Sequence, residues 1–223
     1  METWTSEQRE FIKSNKVISK RQLTPSELLF DPSKILLPNE RLKNEHAALC
    51  YVRENTTIPV PQIISFGYEE DSPKLVTGFI EGKLLEDFDD EQRHDVLRVV
   101  NEQMKRHIIP ELHKLQRETT GSIDGSLPVI PPNPVMYATK PSSWRHITTK
   151  GPAFVFCHND LSGHNIILNP ETYEIVGIVD WEYAGFFPHW FERELWKKRY
   201  TEREEEEERT FVKSAEEFFR DGV

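Results

Sequence analysis

Residues 154 to 168 read FVFCHNDLSGHNIIL, which places two histidines, two asparagines, an aspartate, a serine and a cysteine between two apolar runs. Three chemistries use such residues. A zinc site needs three or four nitrogen or sulfur ligands. His158 and His164 are six positions apart, the chain has no HExxH or HxxxH, and few other ligands lie nearby. A serine nucleophile is expected in a GxSxG elbow, and Ser162 has none. The third chemistry is phosphoryl transfer, and it uses more of the stretch. His158, Asp160 and Asn165 form HxDxxxxN. A carboxylate on such a loop can accept or orient the proton of an attacking hydroxyl, and an amide oxygen five residues on can reach a magnesium ion beside a nucleotide's phosphates.

That chemistry demands a second acid on the metal. The segment IVDWE supplies Asp180, fifteen residues after Asn165. Taken singly, Asp160 capping a turn and Asp180 ending a strand would explain each acid without chemistry. Their order, their spacing and the apolar strands between them argue for one site.

The elements that must hold these residues can be read from periodicity. AFVF predicts a strand leading into the loop, and NIIL and EIVGIVDW predict a hairpin turning at NPETY. In RLKNEHAALCYVREN, Ala48, Leu49 and Val52 recur at helical spacing with Glu45 one turn earlier, and Pro59 and Pro61 follow the end of that helix. QIISFG and KLVTGFI predict strands on either side of an acidic turn. Val96, Val100, Met104, Ile108, Leu112 and Leu115 predict one long helix from Asp89 to Glu118. Residues 5 to 14 predict a short helix capped by Thr5 or Ser6, and the segment from Lys16 to Pro38 predicts two or three short strands. The Pro- and Gly-rich stretch from Thr119 to about Ser143 predicts an irregular surface loop, and Phe186 to Tyr200 an aromatic-rich helix. The order suits an α+β fold with a small sheet lobe and a larger helical lobe.

Composition removes several classes. The 223 residues carry a net charge of -10, which disfavours nonspecific binding to nucleic acid. No apolar run approaches the roughly 20 residues of a membrane helix, and the N-terminus lacks a hydrophobic signal core, so a cytoplasmic protein is expected. Cys50 and Cys157 lack CxxC spacing, which argues against a zinc or disulfide framework. The run TEREEEEER, residues 201 to 209, reads as a solvated helix face. Nothing in the sequence points to a protein partner.

CHNDLSGHNIIL and GIVDWEYAGFFP resemble the aminoglycoside phosphotransferase family, in the kinase-like group that includes choline kinases. NEHAALCYVRENTTIPVPQIISFG, LVTGFIEGKLLEDF and ELHKLQRETTGSIDG extend the resemblance over roughly Lys34 to Phe191. It implies a two-lobed protein-kinase-like fold, with residues 1–81 as a short nucleotide-side lobe and 82–223 as the catalytic lobe. It implies ATP as donor, Mg2+, and a small-molecule hydroxyl acceptor. By position Asp160 would be the catalytic base, Asn165 and Asp180 the magnesium ligands, and His158 a brace for the loop. Glu45 would pair with a phosphate-contacting lysine, for which Lys34 is the candidate. Gly78, Phe79 and Ile80, in the linker Thr77 to Gly82, would meet the adenine. Trp144, Trp181, Glu182, Tyr183, Phe187, Trp190 and Trp196 would lie near the acceptor pocket, and for most of them the plainer reading is core aromatics of the helical lobe.

The chain departs from the pattern in two ways. Its first glycine is Gly67, so no glycine-rich turn precedes Lys34. Asn159 and Trp181-Glu182 replace the Arg and Phe-Gly of protein kinases, and no APE follows. These departures disfavour a protein kinase. They leave two readings, a small-molecule kinase and a catalytically degenerate relative that works as a binding or regulatory protein.

Overall fold

The structure is a computed structural model that describes residues 1–69 and 72–222. It opens with β1 (Glu2–Thr5), β2 (Arg9–Ser14) and β3 (Val17–Gln22), followed by helix α1 (Pro38–Asn55), β4 (Ile63–Glu69) and β5 (Ser72–Gly78). These strands form one antiparallel sheet in the order β1-β2-β3-β5-β4. Residues 5–14 are thus a hairpin, where capping chemistry predicted a helix. The reason is local. Ser6 Oγ accepts the amide of Arg9 at 3.0 Å, which closes a turn with the same bond that would cap a helix.

Helix α1 buries Arg41, Leu42, Asn44, Glu45, Ala48, Leu49 and Val52. One end of that stripe is polar and charged, and the other is apolar and packs on the sheet. Lys34 sits on an exposed 3-10 turn ahead of the helix, Pro32–Lys34, where the sequence predicted a strand start.

After a short strand β6 (Lys83–Leu84), α2 (Asp90–Gln103) and α3 (Ile109–Lys114) run on through a single wide π-turn, Met104–Ile108. Pro110 accounts for the turn, since it supplies no amide and crowds the preceding carbonyls. Val96, Val100, Met104, Ile108 and Leu112 form the expected buried stripe. The helix stops short of Glu118 because Gln116–Arg117 becomes strand β7. The predicted loop contains helix α4 (Asn133–Ala138), whose Val135 and Met136 are buried, so it is part of the large lobe's packing.

Strand β8 (Phe154–Cys157) leads into the HxDxxxxN loop, and β9 (Ile166–Leu168) and β10 (Ile175–Ile178) form the expected hairpin. Residues 186–200 are not helical. Gly185–Phe187 is strand β11, paired with β8, and 3-10 turns follow it. A Cβ at residue 185 would lie 2.6 Å from the carbonyl of Gly121, so the glycine permits this close strand contact. Helix α5 (Glu205–Asp221) starts with four exposed or half-exposed glutamates, favourably placed at the positive end of a helix. It buries Phe211, Ala215, Phe218 and Phe219. Among the described residues no helix is long and apolar enough to cross a membrane.

Candidate active site

The loop after β8 is held from its own backbone outward. His158 is fully buried, and its Nε2–H donates to Val179 O at 3.0 Å while Nδ1 accepts the amide of Asp160 at 3.1 Å. That pattern fixes a neutral tautomer, and burial pushes the ring below its ordinary pKa. Asn159 has a positive φ of 69°, which asparagine tolerates better than most residues. Its side chain donates to Tyr183 O at 2.8 Å. Asn165 Nδ2 donates to Asp160 O at 2.9 Å and to Asp160 Oδ2 at 3.1 Å. Its Oδ1 takes part in no hydrogen bond among the described residues.

Asp160 Oδ1 accepts from Ser162 Oγ at 2.8 Å, and His164 Nε2 lies 3.6 Å from Oδ2. Burial pushes this carboxyl up, but the nearby His164 imidazole, with His158 and Ser162, outweighs it and holds Asp160 below the usual carboxylate range. His164 is raised in turn, chiefly by the Asp160 carboxylate beside it. An acid held this low is ionised at neutral pH and suits orienting a hydroxyl more than stripping it early.

Asp180 follows β10 in a left-handed conformation, φ 63°. A non-glycine residue held there marks a position that its surroundings over-determine. Val179, just before it, is fixed on both sides: its amide donates to Asn165 O at 3.0 Å and its carbonyl accepts from His158. The loop acid and the hairpin acid are therefore tied together through the backbone.

The lysine that meets these acids is Lys20 on β3. Its Nζ is 2.8 Å from Glu45 Oε2, 2.6 Å from Asp180 Oδ1 and 3.9 Å from Glu182 Oε2. Lys34, the sequence candidate, is exposed and has no part in this cluster. Burial alone would lower the Lys20 ammonium, yet the Asp180, Glu45 and Glu182 carboxylates overcome it and raise it. Burial pushes the Glu45 carboxyl up against the pull of Lys20. Glu182 goes the other way. Burial would raise it, but Arg41, Lys20 and Arg9 bring it down to about 2.

A cavity of about 730 Å³ opens beside this cluster, within the range of small-molecule sites. Lys20, Glu45, Asn165 and Asp180 line it, as do Gly78, Phe79 and Ile80. The amides of Gly78 and Phe79 are spent on Gln62 O at 2.7 Å and Lys16 O at 2.8 Å. The Ile80 amide makes no hydrogen bond among the described residues, so of these three only Ile80 keeps a free donor. A Cβ on Gly177 would meet Ile80 Cδ1 at 2.5 Å, so the hairpin glycine gives the linker room to dock.

Most of the aromatic residues named for an acceptor pocket are core residues, as their plainer reading has it. Trp181, Phe187 and Trp196 are core residues, Tyr183 is buried, and Trp144 and Trp190 pack against the core. Glu182 is neutralised by Arg9 and Arg41.

Sequence reasoning missed Lys20, Arg9, Arg41 and Glu192. The alternation Ile18, Lys20, Gln22 on one strand face was the available signal for the lysine. Glu192 accepts the backbone amides of His158 and Asn159, the latter at 3.3 Å, and so holds the start of the loop. Burial pushes its carboxyl up to about 7, against those two amides. A folded-state pKa above the unfolded value gives stability that is full below about pH 4.5 and is lost as pH rises through about 7. Glu192→Gln should remove this dependence. The stability difference between wild type and variant should shift by at most ~3 kcal/mol between pH 4.5 and 7, against wild type as pH rises, in denaturant melts. Parallel pH profiles would show that Glu192 does not titrate there.

Comparison with known proteins places this geometry. The profile of the phosphotransferase enzyme family matches residues 29–192. The chain belongs to that family. No curated protein matches the chain. Among solved structures it is similar to an aminoglycoside 2'-phosphotransferase mutant in complex with GDP, at 15% identity and a TM-score of 0.54, covering 99% of this chain and 75% of that one. It is also similar to an APH(2") enzyme in complex with GDP and kanamycin, at 15% identity and a TM-score of 0.53, covering 84% and 68%. For an aminoglycoside-3'-phosphotransferase of type VIII the values are 19% identity and a TM-score of 0.48, with 81% of this chain and 66% of that one covered. The chain therefore spans about two thirds to three quarters of the length of these structures. At these identities the likeness establishes the fold, a sheet lobe joined to a helical lobe as in the aminoglycoside kinases.

Proposed function

We propose that the chain transfers the terminal phosphoryl group of ATP, with Mg2+, to a hydroxyl of a small molecule. The observation that carries this reading is the meeting of Lys20, Glu45 and Asp180 at one wall of a cavity that Asn165 also lines. Lys20 would contact the donor phosphates, with Glu45 holding its ammonium in place. Magnesium would be held by Asn165 Oδ1, which has no hydrogen-bond partner among the described residues, and by the part-exposed carboxylate of Asp180. Hard oxygen donors of this kind suit it. Bound there, the ion would neutralise charge on the β- and γ-phosphate oxygens.

Asp160 would orient the acceptor hydroxyl and take its proton. The acceptor oxygen bonds to the γ-phosphorus as the bond from that phosphorus to the bridging oxygen breaks, and ADP leaves with the electron pair. Positioning and fixed charge lower the barrier.

The first test is thermal melting. ATP and Mg2+ together should raise the midpoint, since a ligand at about 100 times its Kd that binds only the folded state adds ~2.7 kcal/mol. Magnesium alone should not. A second reading, a catalytically degenerate relative that has lost nucleotide affinity and works as a binding or regulatory protein, is favoured by the glycine-free turn Ser6-Glu7-Gln8 between β1 and β2. No shift at millimolar nucleotide would support it. The acceptor can then be sought by ADP release across hydroxylated amines, sugars and secondary metabolites.

A further inference from the structure

Behind Lys20 lies a second set of charges. Glu182 Oε2 is 3.0 Å from Arg9 Nη2, and Glu182 Oε1 is 2.8 Å from Arg41 Nη1. Each oxygen of one carboxylate is thus held by a guanidinium from a different element of the small lobe, β2 and α1. The same helix also grips the backbone here, as Asn44 Nδ2 donates to Glu182 O at 3.1 Å and to Ala184 O at 2.8 Å. Arg9 Nη2 also donates to Pro38 O at 2.9 Å. The neighbouring turn residue Gln8 bonds Arg41, and its Nε2 reaches Tyr137 Oη on α4 of the large lobe at 3.3 Å. With Lys20, Glu45 and Asp180, this makes three cations and three carboxylates in one connected set. Arg9, Arg41 and Glu182 are among the buried members.

Buried charges of this kind persist only while they are paired, and exposing one partner leaves the other uncompensated. Separating the small lobe from the segment 180–184 would break these pairs together. We propose that Arg9, Arg41 and Glu182 form a clamp that fixes the β1–β2 hairpin, whose Trp4 and Phe11 line the donor cavity, and sets the position of Asp180. Glu182 is then a positioning residue for Asp180. The clamp takes the place of a flexible glycine-rich turn, so the absence of glycine goes with a pre-set cleft. This rests on the phosphotransferase reading for its nucleotide consequence, though not for the clamp itself.

Arg9→Met is the direct variant, because Glu182 keeps Arg41 and remains paired. Arg9→Lys is the conservative control, able to reach one carboxylate oxygen. Hydrogen exchange in the nucleotide-free protein tests the clamp. In Arg9→Met, amides of residues 4–12 and of 180–184 should exchange faster together, and Arg9→Lys should restore part of the protection. Faster exchange confined to residues 4–12, or none, would overturn the clamp.

Titration with Mg-ATP tests its consequence. Arg9→Met should bind about tenfold more weakly than wild type, and Arg9→Lys should lie between. Arg9→Met/Glu182→Gln should be no weaker than Glu182→Gln alone, as expected for residues acting through one contact. Wild-type binding with Arg9→Met within twofold of it would overturn the donor-site role while leaving the phosphotransferase reading standing. No binding by wild type would overturn that reading and the donor-site role with it, whatever the exchange data show.

Discussion

Asp160→Asn is expected to lower turnover by about a thousandfold while Mg-ATP binding stays close to wild type. The side chain is nearly isosteric, and the bonds that set the loop lie mostly elsewhere. His158 holds the Asp160 amide at 3.1 Å, and Asn165 holds the Asp160 carbonyl at 2.9 Å. What the variant loses is the negative charge that orients the acceptor hydroxyl and receives its proton. An independent signal accompanies the loss. His164 is raised chiefly by the Asp160 carboxylate beside it, so its imidazole should titrate lower in the variant, visible as a shift in its proton NMR titration. Turnover equal to wild type, with the His164 shift present, would show that the site is rearranged as intended and that Asp160 has no part in the chemistry.

That site was largely legible because its parts are local. His158, Asp160 and Asn165 lie on one turn, and a hairpin with pairing register Ile166 to Ile178 carries the chain to Asp180. Spacing along the sequence is spacing in the loop. The lysine was not legible for the opposite reason. Lys20 reaches Glu45 because β3 pairs with β5 and α1 packs against the sheet, which joins residues 25 positions apart in sequence. The alternation Ile18, Lys20, Gln22 is the one local sign that sets it apart from Lys34, and it does not say which acid the lysine meets. The hairpin at residues 5–14 was misread because Ser6 makes a capping bond that serves either a helix or a turn. Pairing of β2 with β3 decided between them. The stretch from Phe186 was misread because its aromatic spacing fits a helix, while Gly185 and pairing with β8 make it a strand. The charged set around Glu182 was missed because Arg9, Arg41 and Glu182 come from three distant segments.

Lys20→Met and Lys34→Met separate the observed lysine from the predicted one. Lys20→Met should reduce turnover about a hundredfold or more, as expected when a fixed charge aimed at the transferring group is lost. Lys34→Met should match wild type, since Lys34 is exposed on a turn outside the cluster. Stability should separate them as well. Removing Lys20 leaves Glu45 and Asp180 without their shared ammonium, a loss of about 3 kcal/mol for a broken buried pair. The loss has a pH signature whose sign follows from Glu45. Burial already raises this carboxyl and Lys20 opposes that, so without Lys20 it rises further and Glu45 protonates more readily in the folded state. A raised folded-state pKa favours the fold at low pH and loses its effect as pH climbs through it. The gap in melting temperature between wild type and Lys20→Met should therefore narrow as pH falls from 8 towards 5. Activity lost in Lys34→Met and kept in Lys20→Met would return the phosphate-binding role to Lys34 and leave the Lys20 cluster a structural ion network. With loss confined to Lys20→Met and the gap closing in acid, the ammonium would be balancing the same carboxylates that the reaction needs charged.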